Sequence, residues 1–331
     1  MSKEIRISKG LDIRLLGSAN LSITDAIKSN FYTLRPDDFH GVTPKLLIKT
    51  GDKLKAGETV FFDKANEAIK FVTPVSGEII EITRGEKRKI FEIKIKADKI
   101  ISFKTHKTPT LKTAKAEELK SLLLTSGCWP FIKQRPYDVI AKPELQPKAI
   151  FISAHATAPL AVDYNFTLQG KEAELQAAVT ALSKLTDGPV HVGVSGGLDS
   201  PFNNLQDINI HKLSGPHPSG NVGTLINKID PVNKGETVWT IAPQDLVIIG
   251  ELLLTGKYNA ERTIALVGSQ IEVPRYLKTR IGSEVATMIY DRGIQKDAHA
   301  RIISGNVLCG KEVKPDGFLD FYSDVITVIP E

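Results

Sequence analysis

The amino-acid sequence predicts an α/β protein made of three consecutive modules, with a β module on each side of a central parallel α/β domain. Three changes in sequence pattern predict this order. Residues 1–105 contain short β-type runs separated by turn residues. Residues 106–260 alternate strand-like and helix-like segments, and residues 261–331 return to strands around one short helix. With 331 residues, the chain is long enough for two or three cores.

The first module is predicted by strands separated by Gly- and Pro-containing turns. The turn at residues 51–57 and Lys64, which follows a strand and precedes the Thr-Pro-Val-Ser-Gly run ending at Gly77, resemble biotinyl and lipoyl domains. We therefore expect a barrel-sandwich fold of the biotinyl/lipoyl type. A lipoyl group on Lys64 is an alternative, although no other part of the sequence would use such a swinging arm. The predicted strands are 59–62, 69–73, 77–82 and 90–95.

The central module is predicted to be a Rossmann-like parallel α/β domain, because strands and helices alternate after a polar linker at 104–115. Gly127 and Gly256 are the expected C-terminal stops of the first and last helix. The predicted helices are 116–125, 171–185, 221–226 and 243–255, and the predicted strands are 149–154, 191–194, 208–213 and 238–242.

The third module is predicted to be a compact β-grasp (SLBB-like) domain. Its pattern is a strand, a turn containing Pro274, a second strand, a short helix beginning near Ser283, and strands at 301–304 and 325–329.

Composition excludes several classes of protein. The two cysteines, Cys128 and Cys309, are far apart, which excludes a disulfide framework, a cysteine-ligated zinc ion and a complete iron–sulfur site in this chain. The N-terminus lacks the apolar core of a secretory signal. The most apolar stretch, 246–254, is much shorter than the roughly 20 residues that span a bilayer. We therefore expect contact with a membrane only through partner proteins.

The net charge of +5 is unevenly distributed. Residues 84–120 contain twelve basic and five acidic residues, an excess of +7. Solvated strand faces would explain this excess, and so would a surface that meets anionic lipid or an acidic partner. Few aromatic residues accompany the charges, so the pattern does not favour nucleic-acid binding.

Residues 195–200 (SGGLDS) match the pyrophosphate-binding loop of ATP pyrophosphatases. In that class a helix follows the loop, whereas the residues after Ser200 lack helical periodicity and predict a loop and then a strand. An ATP-dependent enzyme that uses Asp199 is therefore retained only as the alternative function.

A second glycine-rich segment, 215–224, precedes a predicted short helix. Asn221 occupies the position where a P-loop requires lysine, so a true P-loop is excluded. The remaining candidates for ligand contact are His217 and the backbone N–H groups near Gly220; a rigid turn packed against another module is the competing interpretation. The histidines show no metal-binding spacing, and no G-x-G-x-x-G loop is present.

Several stretches together resemble one family over essentially the whole sequence, namely the A subunit of the bacterial Na⁺-translocating NADH:quinone oxidoreductase. The stretches are 126–136 (SGCWPFIKQRP), 149–160 (AIFISAHATAPL), 215–224 (GPHPSGNVGT), 244–250 (QDLVIIG), 268–270 (GSQ) and 274–282 (PRYLKTRIG).

This resemblance implies a peripheral subunit on the cytoplasmic face of the bacterial inner membrane, where it docks to the membrane-embedded B subunit, and also to the C subunit, of the same complex. Flavins (FMN, riboflavin and FAD) and iron–sulfur centres are expected in the partners, and ubiquinone or menaquinone is the expected substrate. No redox cofactor is expected in this chain. Because members of this family continue beyond the β-grasp module, we also expect a C-terminal region to be missing.

The family is also similar to the C subunit of the Rnf complex and to the flavoprotein subunit of complex I, which bind FMN and NADH on a glycine-rich loop. Residues 129–137 (WPFIKQRPY) stand in the equivalent region and contain no glycine, so we expect the nucleotide site to be lost. This segment also supplies most of the candidates for quinone contact, with packing between domains as the competing interpretation. The candidates are Trp129, Phe131, Arg135, Tyr137, His217 and Gly220.

Overall fold

A computed structural model describes residues 2–197, 199–290, 294 and 299–331. These residues form four β-sheets, and the strands of the three modules lie in the predicted order along the chain. The first two strands, β1 (Glu4–Arg6) and β2 (Asn20–Asp25), precede the first module.

The N-terminal β module packs two antiparallel sheets against each other, with strand orders β3-β9-β8-β5 and β4-β6-β7. Alternate side chains of β9, including Ile93 and Ile95, point inward and meet Phe61 and Phe71 from the other sheet. The strands are β3 (Phe31–Leu34), β4 (Pro44–Leu46), β5 (Lys53–Leu54), β6 (Thr59–Asp63), β7 (Asn66–Val72), β8 (Gly77–Arg84) and β9 (Ile90–Ala97).

The central domain contains a seven-stranded sheet with the order β1-β14-β13-β12-β15-β10-β11. Strands β14, β13, β12 and β15 are parallel, while β10 and β11 add an antiparallel edge. Its elements are α1 (Ala116–Thr125), β10 (Lys133–Arg135), β11 (Val139–Ile140), β12 (Ile150–Ser153), α2 (Tyr164–Thr167), α3 (Glu172–Ser183), β13 (Val190–Ser195), β14 (Asn209–Ser214), α4 (Val222–Ile229), β15 (Val238–Thr240) and α5 (Pro243–Thr255).

The strand order reverses between β12 and β15, because the chain runs outward from β12 to β14 and then returns to the other side of β12. In doubly wound sheets, such a switch point opens a crevice at the carboxyl ends of the strands. The sheet therefore places its natural ligand-binding position beside Ser153 and Thr240.

Helix α5 has the ends that its sequence predicts. Pro243 occupies the first helical turn, and Gly256 ends the helix in a left-handed conformation with φ of +73°. A Cβ atom on Gly256 would lie 2.3 Å from the carbonyl oxygen of His106, so the close approach also requires glycine.

The C-terminal module is a six-stranded mixed sheet with the order β19-β18-β20-β16-β17-β2. Ile264, Leu277, Ile326 and Val328 form its core together with Met288 of the short helix. The elements are β16 (Glu261–Val267), β17 (Arg275–Arg280), α6 (Ala286–Ile289), β18 (Ala300–Ser304), β19 (Lys311–Glu312) and β20 (Val325–Pro330).

The strand pairing differs from the prediction at the N-terminus. The sequence pattern groups residues 1–105 into one β module, but β1 pairs with β14 of the central sheet and β2 pairs with β17 of the C-terminal sheet. We call residues 2–28 the N-terminal strap, since they connect the edges of two sheets outside the first module. Their partners lie more than two hundred residues away, as in the pairing of Ile5 with Leu213, and local sequence pattern carries no information about such pairing.

An aromatic cluster joins the three modules. Phe39 of the first module lies 4.7 Å, centroid to centroid, from Phe321 of the third, which stacks on Phe131 of the second at 5.1 Å. An ion pair between Arg35 and Asp320 lies beside this cluster. The modules therefore share a continuous core. No helix in the described ranges combines the length and apolarity that a bilayer crossing requires.

Candidate functional site

A cavity of about 500 Å³ opens at the switch point between β12 and β15 and is closed on one side by the C-terminal module. The strand ends, the loop after β12, the first turns of α4 and α5, and residues 306–325 surround it. Lining side chains include Phe131, Lys133, Arg135, Asp138, His155, Thr157, Tyr164, Asp245, Asn306, Tyr322 and Asp324.

One wall is aromatic and cationic. The ammonium group of Lys133 lies 3.8 Å from the centroid of the Tyr322 ring, and the Tyr322 hydroxyl donates to the carbonyl oxygen of Pro130 at 2.7 Å. Arg135 forms an ion pair with Asp138 at 3.2 Å. Both Lys133 and Arg135 belong to β10, and because they are two residues apart they point to the same face of the sheet, where both line the cavity.

Another part of the wall contains carboxyl groups in a dry environment. Tyr164 donates its hydroxyl to Oδ2 of Asp324 at 2.8 Å, and burial raises the pKa of the Asp324 carboxyl. Asp245, in the first turn of α5, forms a buried ion pair with Arg262. Burial outweighs the attraction of Arg262 and raises the pKa of Asp245 to about 6. This wall therefore holds groups that take up protons more readily than exposed carboxylates.

The loop after β12 is fixed to the start of α4 by hydrogen bonds. The Ser153 hydroxyl donates to the carbonyl oxygen of Gly220 at 2.7 Å, and the Gly220 N–H donates to Oγ1 of Thr157 at 2.9 Å. Oγ1 of Thr157 is also hydrogen-bonded to Nδ1 of His217, 3.1 Å away. A Cβ atom on Gly220 would lie 2.2 Å from the carbonyl oxygen of His155, so only glycine allows this contact.

The side chain of His155 lines the cavity and carries a hydrogen-bond acceptor that is not used within the described part of the protein. The Ser219 hydroxyl donates to the carbonyl oxygen of Gly215 at 2.7 Å and therefore accepts a hydrogen bond from Nε2 of His155 at 3.3 Å. In the neutral tautomer that this network requires, Nδ1 of His155 carries no proton. Burial lowers the pKa of His155, which keeps the ring neutral near pH 7.

The structure places the six predicted candidates in different environments. Phe131, Arg135 and Gly220 line the cavity. Trp129 lies in the core, where its indole N–H donates to the carbonyl oxygen of Ala141 at 2.7 Å and its ring meets Trp239 edge-to-face. Tyr137 is 77% exposed and outside the cavity lining. His217 lies behind Thr157, so only its hydrogen bond reaches the cavity wall.

Sequence reasoning missed most of the lining of this site, including Lys133, His155, Tyr164, Tyr322 and Asp324. His155 had a usable signal, since it directly follows a buried strand at the expected carboxyl edge of a parallel sheet. Asp324 had none, because it comes from the third module and reaches the cavity only through the packing of the modules.

Two other segments that the sequence singles out lie away from this cavity. Residues 195–200 follow β13 without a helix in the part that the structure describes, and Ser200 accepts a hydrogen bond from the Phe202 N–H. Lys64 is exposed at the turn between β6 and β7. In the described ranges, no three metal-binding side chains converge on one position.

The structure thus defines a three-module protein, in which a cavity at the switch point of a central α/β domain is flanked by barrel-sandwich and β-grasp modules. Three family models match the chain in the same order. They are described as the NqrA N-terminal barrel-sandwich hybrid domain (residues 5–98), the NqrA second alpha/beta domain (residues 114–258) and the NQRA C-terminal domain (residues 263–314).

Relatives that match over nearly the whole of this chain agree with these family models. The chain is 37% identical over 330 residues to the Na(+)-translocating NADH-quinone reductase A subunit of Neisseria meningitidis serogroup A, covering 99% of this chain and 73% of the relative. It is 34% identical, with the same coverage, to the protein of that name in Saccharophagus degradans. The chain belongs to the NqrA family, the A subunits of the Na⁺-translocating NADH-quinone reductase.

Family membership confirms the predicted resemblance, the three-part fold class and the assignment to an oxidoreductase complex. The alternative function, an ATP pyrophosphatase, gains no support. Among solved structures, an NAD⁺-reducing [NiFe]-hydrogenase in its air-oxidized state matches with 10% identity and a TM-score of 0.45, covering 69% of this chain and 52% of that chain.

Proposed function

We propose that this chain binds the quinone headgroup in the switch-point cavity, as a peripheral subunit of the Na⁺-translocating NADH-quinone reductase. One observation supports this most strongly. The cavity combines an aromatic and cationic part of its wall, formed by Phe131, Tyr322 and Lys133, with a second part that contains the Tyr164–Asp324 hydrogen bond.

A quinone ring matches these two parts of the wall. It is flat and apolar on its faces, which suits an aromatic wall, and it carries two opposed carbonyl oxygens. Lys133 and Arg135 place positive charge where negative charge develops on a carbonyl oxygen during reduction. Nδ1 of His155, an acceptor, suits the hydroxyl group that a carbonyl oxygen becomes when the quinone is reduced to the quinol.

A flavin nucleotide fits this cavity less well. The side chains of Phe131, Lys133 and Arg135 take up the wall where a nucleotide-binding relative needs bare backbone close to phosphate. Asp245 places a carboxylate in the first turn of α5, the position that would otherwise attract an anion. We therefore propose that FMN, riboflavin, FAD and iron–sulfur centres reside in partner subunits and that the quinone, ubiquinone or menaquinone, visits this chain.

The same proposal includes the assembly. The chain would lie on the cytoplasmic face of the bacterial inner membrane, in contact with the membrane-embedded B subunit, and would also meet the C subunit. Two facts support it: relatives are named as one part of a Na⁺-translocating reductase, and no described helix can cross a bilayer.

Ligand-observed NMR of the purified chain with a short-chain, water-soluble quinone tests the site. We expect saturation transfer to the quinone that falls at least several-fold in Arg135→Ala and in Lys133→Ala. Tyr137→Ala is the matched control, since Tyr137 lies on the same segment but outside the cavity lining. Equal quinone binding by all variants would show that the quinone does not bind in this cavity. Displacement of the quinone by FMN would favour a nucleotide site instead.

A further inference from the structure

The N-terminal strap carries an unusual concentration of exposed apolar side chains. Of the fifteen large hydrophobic residues that are exposed among the described residues, six lie between positions 11 and 27. Leu16 is 80% exposed, Leu11 70% and Leu21 65%. Soluble proteins rarely leave so many large apolar side chains clustered in solvent unless another molecule covers them. We call Leu11, Ile13, Leu16, Leu21, Ile23 and Ile27 the strap patch.

Strand β2 lies in the middle of this patch and forms the open edge of the C-terminal sheet. It pairs with β17 on one side, and no strand of the described residues pairs with its other side. All six of its residues are exposed, so neither face is packed against a core. Natural proteins normally protect such an edge with lysine, proline or a covering segment, and β2 (NLSITD) has none of these.

The strap follows a fixed path, so the patch is preformed. The Leu11 N–H donates to the carbonyl oxygen of His217, and the Gly268 N–H donates to the carbonyl oxygen of Gly17. A Cβ atom on Gly17 would lie 2.3 Å from the carbonyl oxygen of Gly268. Binding to a preformed edge avoids the cost of ordering a loose segment.

We propose that β2 is a docking strand, which accepts an extended apolar segment of another subunit of the reductase as the seventh strand of this sheet. A bilayer is not a suitable occupant, because open backbone N–H and C=O groups have no hydrogen-bond partner in hydrocarbon. A strand provides both the backbone partners and apolar side chains opposite Leu21 and Ile23. Relatives of this chain are named as one of several subunits, so a different chain is the occupant that its assembly provides. This inference rests on the proposed assembly and not on the quinone site.

The surroundings of β2 also specify the charge of the partner. A groove of about 300 Å³ continues from the end of the strand and is bordered by Lys28, Lys278 and Arg280 against only two carboxylates, Asp25 and Glu261. Glu261 already pairs with Lys278 at 2.9 Å. The docking segment should therefore carry an acidic side chain just beyond its apolar part.

Hydrogen–deuterium exchange of the assembled complex, compared with the isolated chain, tests the backbone pairing. The amides of Asn20 and Ala26 already donate to the carbonyl oxygens of Pro274 and Lys278. We expect the outward-facing amides among residues 21–25 to exchange at least tenfold more slowly in the complex. Unchanged exchange at these amides would overturn the proposal. Protection that already rises with concentration in the isolated chain would also overturn it, in favour of a second copy of this chain as the occupant.

A variant pair tests the side chains. Leu21→Ser combined with Ile23→Ser removes the apolar face without touching a core, and should lower retention of the chain in the purified complex about tenfold. Leu47→Ser combined with Leu254→Ser is the control, since both residues are exposed outside the strap. Equal retention of the two double variants would contradict a docking role for β2. Circular dichroism spectra that match the wild type show that any loss is not caused by misfolding.

Discussion

The imidazole rings of His191 and His211 form a buried hydrogen bond, with Nδ1 of His191 2.9 Å from Nε2 of His211. The backbone N–H of Lys3 donates to Nδ1 of His211 at 3.2 Å, so His211 holds its proton on Nε2 and donates it to His191. Through this arrangement, two neighbouring strands of the central sheet are connected to the beginning of the N-terminal strap.

Both rings should make stability depend on pH. Burial, followed for His191 by the charge of His211 and for His211 by the N-terminal amino group and Lys3, lowers the pKa of each to about 4. The unfolded chain keeps pKa values near 6.5 and binds more protons between pH 6.5 and 4. The free energy of unfolding should therefore fall as the pH is lowered through this window. Thermal unfolding at pH 7 and pH 5 measures the loss.

Buried carboxyls with a raised pKa, such as Asp245 and Asp324, increase the free energy of unfolding as the pH falls, which is opposite to the effect of the histidine pair. The experiment therefore compares the pH dependence of each variant with that of the wild type. His191→Gln should lose less stability on acidification than the wild type. His40→Gln, at an exposed site, should behave like the wild type. Parallel pH profiles for His191→Gln and the wild type would contradict the role of the pair.

The Asp245–Arg262 ion pair predicts a large effect of removing its cation. Both side chains are almost fully buried, so Arg262→Met leaves the Asp245 carboxylate without a partner in a dry site. We expect a loss of about 3–5 kcal/mol in the free energy of unfolding, measured with a chemical denaturant. Lys278→Met, which breaks a half-exposed pair with Glu261, should cost less than about 1 kcal/mol. Similar losses for the two variants would show that burial of the first pair has little energetic effect.

Trp129 should affect stability and leave quinone binding unchanged. Trp129→Phe keeps an aromatic ring in the core but removes the donor to the Ala141 carbonyl oxygen. We expect a loss of about 2 kcal/mol, because this carbonyl is left without its partner in a buried position. Quinone binding, followed by the NMR experiment described above, should stay within twofold of the wild type. A loss of quinone binding without a loss of stability would show that Trp129 contributes to the ligand site after all.

Two glycines at the start of α4 should respond differently to substitution. Gly223 has no atom within 4 Å of the position of an added Cβ, and it lines the cavity. Gly223→Leu should therefore fold normally and weaken quinone binding several-fold by narrowing the cavity. Gly220→Ala should instead lower the melting temperature by several degrees, because its Cβ collides with the backbone of His155. Normal quinone affinity in Gly223→Leu would argue against this cavity as the site.

The parts of the fold that depend on local sequence were predictable. The predicted helices 116–125 and 243–255 have the bounds of α1 and α5, since apolar periodicity and a glycine stop determine each of them locally. The four strands predicted in the first module were confirmed as β6, β7, β8 and β9 with small shifts at their ends. These elements need no information from distant residues.

The parts that depend on distant contacts were not predictable. Leu21 and Ile23 alternate with polar residues as in a half-buried strand, yet both are exposed at a sheet edge. Trp129 looked suited to stacking on a ligand, but a large aromatic residue has the same appearance in a sequence whether it faces a cavity or a core. One part of the candidate site was predictable, because strand order locates the end of the sheet at which the site lies. Tyr322 and Asp324 were not predictable, because they reach the site from another module.

The N-terminal strap has a consequence for the way the chain is made. Residues 4–6 leave the ribosome long before their partner strand, which begins at Asn209, and β2 must wait for residues 275–280. Domains usually fold as they emerge, from the N-terminus onward. In this protein, the central sheet gains its outermost strand and the last module gains its edge only from residues that were synthesised before their partners and have remained unpaired. The strap is therefore translated before both of its partner strands and is among the last segments to reach its final position.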